Sequence, residues 1–90
     1  MTVARVVGSL ISTRKCDNLV GSKFAIVEPL DIMNAGSERL VAVDVIGAGI
    51  GEMVLVATGS SARIGCGLEK APVDAAIVGI VDEENELKVY

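Results

Sequence analysis

Residues 40–57 read LVAVDVIGAGIGEMVLVA, and this stretch decides the fold. A run of branched apolar residues leads into three alternating glycines, and a second apolar run follows at once. Short Val-rich runs bounded by glycine predict two strands, over residues 40–45 and 52–57, joined by a tight turn. Glycine-rich turns of this kind also bind dinucleotides, but only where a helix follows the glycines. Because a strand is predicted there instead, we interpret residues 47–51 as a structural turn.

The rest of the chain continues this β pattern outward from the central pair. The apolar residues alternate or run continuously between Gly, Pro, Asn and Asp. They predict strands over residues 3–12, 23–28 and 75–81, a tail strand over 87–90 and a helical turn over 60–63. So many short strands favour a closed barrel, which removes exposed sheet edges. We therefore predict a mainly β fold. It is a small five-stranded antiparallel β-barrel, OB-like, with at most one short helix, in a single domain over residues 1–90.

The composition excludes several functions for this 90-residue chain. It contains one Phe, one Tyr, no Trp and no His. Two aromatic residues are too few to stack the bases of a single-stranded nucleic acid, and a site built on His is impossible. The net charge of −4 also argues against a phosphate-binding surface. We expect no nucleic-acid partner, no metal and no cofactor.

The apolar content, 51% of the residues, bears on location and assembly. No uncharged run reaches the roughly 20 residues of a membrane helix, and the N-terminus lacks the pattern of a signal peptide. We therefore expect a cytoplasmic protein without a membrane partner. A small domain buries only about 60% of the surface of its unfolded chain, so a chain this apolar is expected to oligomerise. Strands 52–57 and 75–81 are apolar on both faces, and a neighbouring subunit is expected to cover their outer face.

The nucleophilic residues lack partners that would activate them. Ser60 could serve a small enzyme, but the chain has no His, and its flanking residues differ from those of a nucleophile elbow. Lys70 is a conceivable base for Ser60, but no other feature of the sequence supports that role. Ser60 or Ser61 is expected to cap the helical turn instead. Cys16 and Cys66 form no CxxC pair and are interpreted as reduced thiols. We predict no catalytic residue.

Two groups of carboxylates raise further hypotheses. Asp44 interrupts an apolar strand, so it needs a partner or a solvated face. Arg5 and Arg63 are candidate partners, and a solvated face is an equal alternative. The acidic run over residues 82–86 lacks the central glycine of a calcium loop, and we interpret it as a solvated turn.

Three blocks, taken in order, resemble a known family. They are DVIGAGIGEMV (44–54), GSSAR (59–63) and PVDAAIVGIVD (72–82). They look like the signature blocks of the bacterial microcompartment vertex proteins, the pentameric shell proteins of ethanolamine-utilisation compartments and carboxysomes. The opening segment, with Gly8, STRK (12–15) and LVGSK (19–23), is similar to the opening strand and loop of that family. The sequence departs from the family pattern in the short loop 31–39 and in the glycine-rich segment 64–70.

The resemblance implies a structural protein rather than an enzyme. Members of the family are small β-barrels that assemble as cyclic homopentamers. Each pentamer fills a five-fold vertex of a polyhedral shell that is otherwise tiled by hexameric shell proteins, inside the cytoplasm. A metabolosome is preferred over a carboxysome, because the first two blocks look closer to the catabolic members.

The resemblance also implies which residues lie at the subunit interface or the pore. In the first block the candidates are Asp44, Gly47, Ala48, Gly49, Gly51 and Glu52, and in the second block Gly59, Ser60, Ser61, Ala62 and Arg63. Small side chains suit loops that crowd around a common axis, which agrees with this placement. The alternative function is a small OB-like module that binds a ligand or nucleic acid.

Overall fold

Five strands and one short helix make up the regular structure of the described residues. The computed structural model describes residues 1–13, 15–33, 38–67, 72–82 and 86–89. The strands are β1 (Thr2–Leu10), β2 (Lys23–Pro29), β3 (Leu40–Asp44), β4 (Met53–Thr58) and β5 (Ala75–Val81), and the helix α1 is Ser60–Gly65. Two 3-10 turns cover Asp17–Leu19 and Asp31–Met33. Lys70, residues 83–85 of the predicted acidic turn and residue 90 of the predicted tail strand lie outside the described residues.

The five strands close into a barrel in the order β1-β2-β3-β5-β4. Four of the neighbouring pairs are antiparallel, and β3 pairs with β5 in parallel, Val43 opposite Ala76 and Asp44 opposite Ile77. The closed five-stranded barrel confirms the prediction, but the prediction that it is antiparallel throughout is wrong at this one pair. β4 ends, and β5 begins after α1, at the end of the barrel where β3 also begins. β5 lies between β3 and β4, so it runs in the same direction as β3.

The barrel is filled by small and branched side chains from alternate positions of each strand. This period of two is the expected pattern for strands with one face toward a core. The inner residues are mainly Val and Ala because a barrel of only five strands leaves little internal width. They are Ala4, Val6, Ala25, Val27, Ala42, Val54, Val56, Ala75 and Ile77, each at most 5% exposed.

A second apolar cluster lies outside the barrel, under α1. It joins Ala62 of the helix to Val43, Ala57 and Ala76 of the strands, with Val73 beside them. The outer face of β4 and β5 was expected to be covered by a neighbouring subunit. Over this part of the face the prediction is wrong, because the chain's own helix covers it. Leu55 and Gly79, farther along the same strands, are half-buried.

The boundaries of the predicted elements shift by a few residues at most, apart from the tail. β1 ends at Leu10, two residues early, and α1 runs to Gly65, two residues beyond the predicted turn. Residues 87–89 do not form the predicted tail strand. With the neighbouring strands of the barrel already paired, the described tail has no sheet edge to join.

The strand directions define two ends of the barrel. One end, which we call the glycine-loop end, carries the connections 11–22 and 45–52. The opposite end carries the connection after β2 and the start of α1. This division decides how the candidate site residues are placed.

Candidate functional site

The glycine loop between β3 and β4 is organised by the carboxylate of Asp44. Oδ1 accepts hydrogen bonds from the backbone N–H groups of Ile46 (3.0 Å) and Gly47 (2.8 Å), and Oδ2 accepts one from Ala48 (2.9 Å). Asp side chains commonly close turns in this way, by bonding backbone amides that follow them. The predicted alternatives were an arginine partner or a solvated face. In the structure, this half-buried carboxylate instead accepts hydrogen bonds from the backbone of its own loop.

Glu52 closes the other end of the same loop. Its Oε1 accepts a hydrogen bond from the N–H of Gly49 (2.5 Å), and its own N–H donates to the carbonyl of Gly49 (3.1 Å). The two carboxylates together therefore satisfy the N–H groups of four consecutive residues, from Ile46 to Gly49. Gly47 and Gly51 both have φ of 90°, a conformation that glycine adopts without strain. The sequence interpretation of a structural turn agrees with this geometry.

The loop is also tied to β1. The N–H of Gly51 donates to the carbonyl of Val6 (2.8 Å), and the N–H of Val6 donates to the carbonyl of Glu52 (2.9 Å). Nη1 of Arg5 donates to the carbonyl of Gly51 (2.8 Å). Sequence reasoning considered Arg5 only as a partner of Asp44 and missed this contact. Arg5 lies on the outer face of a strand. Nothing in the sequence indicates that such a side chain will bond a carbonyl far along the chain.

The second candidate segment, Gly59 to Arg63, begins α1. Gly59 takes the N-cap position with φ of 67°, and no side chain caps the helix there. The predicted cap by Ser60 or Ser61 is therefore wrong: the Ser61 hydroxyl donates back to the carbonyl of Thr58 (2.7 Å). Ala62 is fully buried under the helix, whereas Ser60 and Ser61 are exposed and Arg63 is half-buried.

The structure does not bring the two candidate segments together. The glycine loop precedes β4, and Gly59, which begins the second segment, follows it, so these two lie at opposite ends of the barrel. β4 has six residues, which separates the segments by about 20 Å along the strand. Within one subunit they therefore form two distinct surfaces.

Exposed apolar side chains are concentrated at the glycine-loop end. Six of the large hydrophobic residues that are exposed lie there, between 42% and 88% exposed: Leu10, Ile11, Val20, Val45, Ile46 and Ile50. A groove of about 400 Å³ runs beside the loop and is lined by Leu10, Ile11, Phe24 and Ile50, among others. Clustered exposed apolar residues of this kind are typical of a surface that is buried in an assembly.

The described residues contain neither a cluster of metal-ligand side chains nor a long apolar helix. Within them, no three His, Cys, Asp or Glu side chains lie close enough together to hold a metal ion. Cys16 and Cys66 are free thiols, the first exposed and the second half-buried. None of the described helices has the length and apolarity needed to traverse a bilayer.

Comparison with known proteins gives one consistent result. A family model described as ethanolamine utilisation protein EutN/carboxysome matches residues 1–82. The carboxysome shell vertex protein CcmL of Synechocystis is 48% identical to this chain over 86 residues, which are 94% of this chain and 86% of that protein. The microcompartment shell vertex protein EutN of Salmonella typhimurium is 43% identical, over 92% of this chain and 85% of that protein.

Solved structures resemble the barrel over nearly its whole length. CcmL of Nostoc superposes with a TM-score of 0.82 at 40% identity, covering 91% of this chain and 89% of that chain. GrpN of Rhodospirillum rubrum, described as a pentameric microcompartment shell protein, superposes with a TM-score of 0.79 at 40% identity, covering 92% and 95%. Both the carboxysome and the metabolic-compartment branches are therefore similar to this chain.

Proposed function

This chain belongs to the EutN/CcmL family of microcompartment shell vertex proteins, and we propose that its ring of five copies contacts hexameric shell proteins around each five-fold vertex. It is a structural shell component, like the other members of this family, and not an enzyme. The observation that carries the proposal is the match of family and barrel to pentameric shell proteins over more than nine-tenths of the chain.

The distribution of apolar surface supports a ring. A cyclic ring repeats one contact between two unlike surfaces of neighbouring copies until it closes. The glycine-loop end supplies exposed apolar side chains for such a contact, including Ile46 and Ile50. We propose that the contact includes the following residues of the loop and its ends: Asp44, Gly47, Ala48, Gly49, Gly51 and Glu52.

The second segment, at the other end of β4, is proposed to serve the same ring from a different position. Ser60 and Ser61 are small and exposed, so five copies of them fit around a common axis. Gly59 and Arg63 flank them, and Ala62 anchors the helix to the barrel. We propose that this segment approaches the five-fold axis, while the glycine loop contributes to the contact between subunits.

The comparisons match both compartment types, so the type of compartment is still a prediction from the sequence. Relatives from carboxysomes and from metabolic compartments match this chain at 48% and 43% identity. The metabolosome remains our prediction, and the enzymes encoded beside this chain in its genome provide the test.

Native mass spectrometry and co-assembly test the proposed function. The purified chain should give a complex with five times the mass of the 9.3 kDa subunit. Mixed with a hexameric shell protein, it should produce closed particles in electron microscopy, whereas the hexamer alone should form sheets or tubes. A monomer at micromolar concentration would contradict the ring, and unchanged sheets in the mixture would contradict the contact with hexamers.

A further inference from the structure

The glycine loop holds its shape through bonds within its own chain. The N–H groups of Ile46, Gly47 and Ala48 are bound by Asp44, and that of Gly49 is bound by Glu52. Because these donors are occupied in the single subunit, no partner is needed to satisfy them. What the loop offers to a partner is its side chains.

Those side chains are apolar and face two different surfaces. Ile46 is 46% exposed and lies, with Val20 and Val45, beside a shallow depression. Ile50 is 65% exposed and lines the groove that also contains Leu10. The loop therefore contributes one exposed isoleucine to each of two unlike surfaces.

The end of the β2–β3 pair separates these two surfaces. Lys23 and Asp44 are opposite each other in the register of the two strands, and both residues line the groove as well as the depression. A cyclic ring requires two unlike surfaces on each subunit, and the groove and the depression, each with an exposed isoleucine, are two such surfaces. Because relatives of this chain are pentameric, the partner that fits both surfaces is a second copy of the chain.

We propose that Asp44 and Glu52 are positioning residues for ring assembly: they hold residues 45–51 in the assembled shape before the subunits meet. The loop then presents Ile46 to one neighbour and Ile50 to the other as preformed apolar contacts. A loop that is already ordered loses less conformational entropy on binding, which strengthens the association without adding any contact. This inference rests on the proposed ring and assigns these two carboxylates, which lie within the proposed contact, the further role of fixing the loop inside their own subunit.

The test compares assembly of the wild-type chain with that of Asp44→Ala and Glu52→Ala. Each variant removes the side-chain oxygens that accept the backbone hydrogen bonds of the loop. In sedimentation over a dilution series, each variant should raise the subunit concentration at half-assembly roughly tenfold. This corresponds to the free energy typically lost when a side chain that caps backbone N–H groups is removed. Ile46→Ser and Ile50→Ser should weaken the ring as well, by removing the contacts themselves.

Matched substitutions at the opposite end of the barrel serve as controls. Asp31→Ala removes an exposed carboxylate, and Ile32→Ser removes an isoleucine that is 53% exposed. Both should leave the half-assembly concentration within about twofold of wild type, since surface substitutions usually have small effects.

Amide hydrogen exchange in the dissociated wild-type subunit provides a second measurement that does not depend on variants. The amides of residues 46–49 should be protected before assembly. Exchange as fast as in an unfolded peptide, with protection appearing only in the ring, would overturn the proposal. If Asp44→Ala and Glu52→Ala both leave the ring unchanged, the proposal is overturned too, while a wild-type monomer would contradict the ring itself and the inference with it.

Discussion

Gly65 packs against Val78 so closely that a methyl group on its Cα would lie 2.8 Å from Cγ1 of Val78. Gly65 is the last residue of α1, and Val78 lies on the outer face of β5. Real side-chain carbons do not approach this closely, so the absence of a side chain at Gly65 sets the distance between helix and sheet. This contact lets α1 cover the outer face of the barrel.

Replacing Gly65 by Ala should destabilise the fold. Alanine favours a helix by up to about 1 kcal/mol over glycine, but overpacking a close contact costs about 1–3 kcal/mol. Val78 is branched at Cβ and is stiff in a strand, so it yields poorly. We expect a net loss of about 1 kcal/mol, measured as a fall in melting temperature of about 4–8 °C at fixed protein concentration.

A double-mutant cycle identifies the cause. Val78→Ala removes the clashing methyl, so Gly65→Ala should cost less in that background than in the wild type. Gly79→Ala is the matched control on β5, because a methyl there meets Leu55 at an ordinary distance of 3.7 Å. If Gly65→Ala lowers the free energy of unfolding equally in both backgrounds, the contact with Val78 is not the cause of the destabilisation.

The glycines of the loop between β3 and β4 are predicted to differ in their tolerance of alanine. Gly51 has φ of 90°, which costs a residue with a side chain about 1–2 kcal/mol. Gly49 has no positive φ, and a methyl there would meet Oε1 of Glu52 at 3.2 Å, so that side chain has to shift by only a few tenths of an ångström. Chemical denaturation should therefore show a larger loss for Gly51→Ala than for Gly49→Ala. The reverse order would contradict the assigned backbone conformations.

The five strands were predictable because their apolar periodicity and glycine boundaries are local signals. The parallel pairing of Val43 with Ala76 was not, since the order of strands around a barrel depends on where the chain returns after α1. Likewise, sequence patterns on β4 and β5 marked an outer apolar face but could not tell a helix of the same chain from a neighbouring subunit.

At the candidate site, the sequence predicted the structural turn and singled out Asp44, but it missed the hydrogen bonds that hold the turn. Asp44 stood out as a charge in an apolar strand, and the search for a partner considered only arginines. The signal that was overlooked is local: an Asp followed closely by glycines commonly closes a turn through backbone amides. The contact of Arg5 with the carbonyl of Gly51 joins residues far apart in the chain and has no such local signal.

The ion pair between Arg39 and Glu28 is predicted to contribute little to stability. Its atoms Nε and Oε2 are 3.6 Å apart, and the side chains are 63% and 36% exposed. Exposed pairs of this kind are typically worth about 0.2–1 kcal/mol. Arg39→Gln should therefore lower the free energy of unfolding by less than about 1 kcal/mol, measured by urea denaturation at moderate salt. A loss well above 1 kcal/mol would indicate that Arg39 has a further role.

The labelling rates of the two cysteine thiols show which surface of the subunit the ring covers. Cys16 is exposed, whereas Cys66 is half-buried and lines the depression beside Val45 and Ile46. Thiol reagents react with accessible thiolates, so in the free subunit Cys16 should be labelled faster than Cys66. If a neighbouring copy covers the depression, assembly should slow the labelling of Cys66 severalfold.

Single-cysteine variants, Cys16→Ser and Cys66→Ser, separate the two rates in a time course measured below and above the half-assembly concentration. A Cys66 rate that does not depend on assembly would place the subunit contact away from this depression.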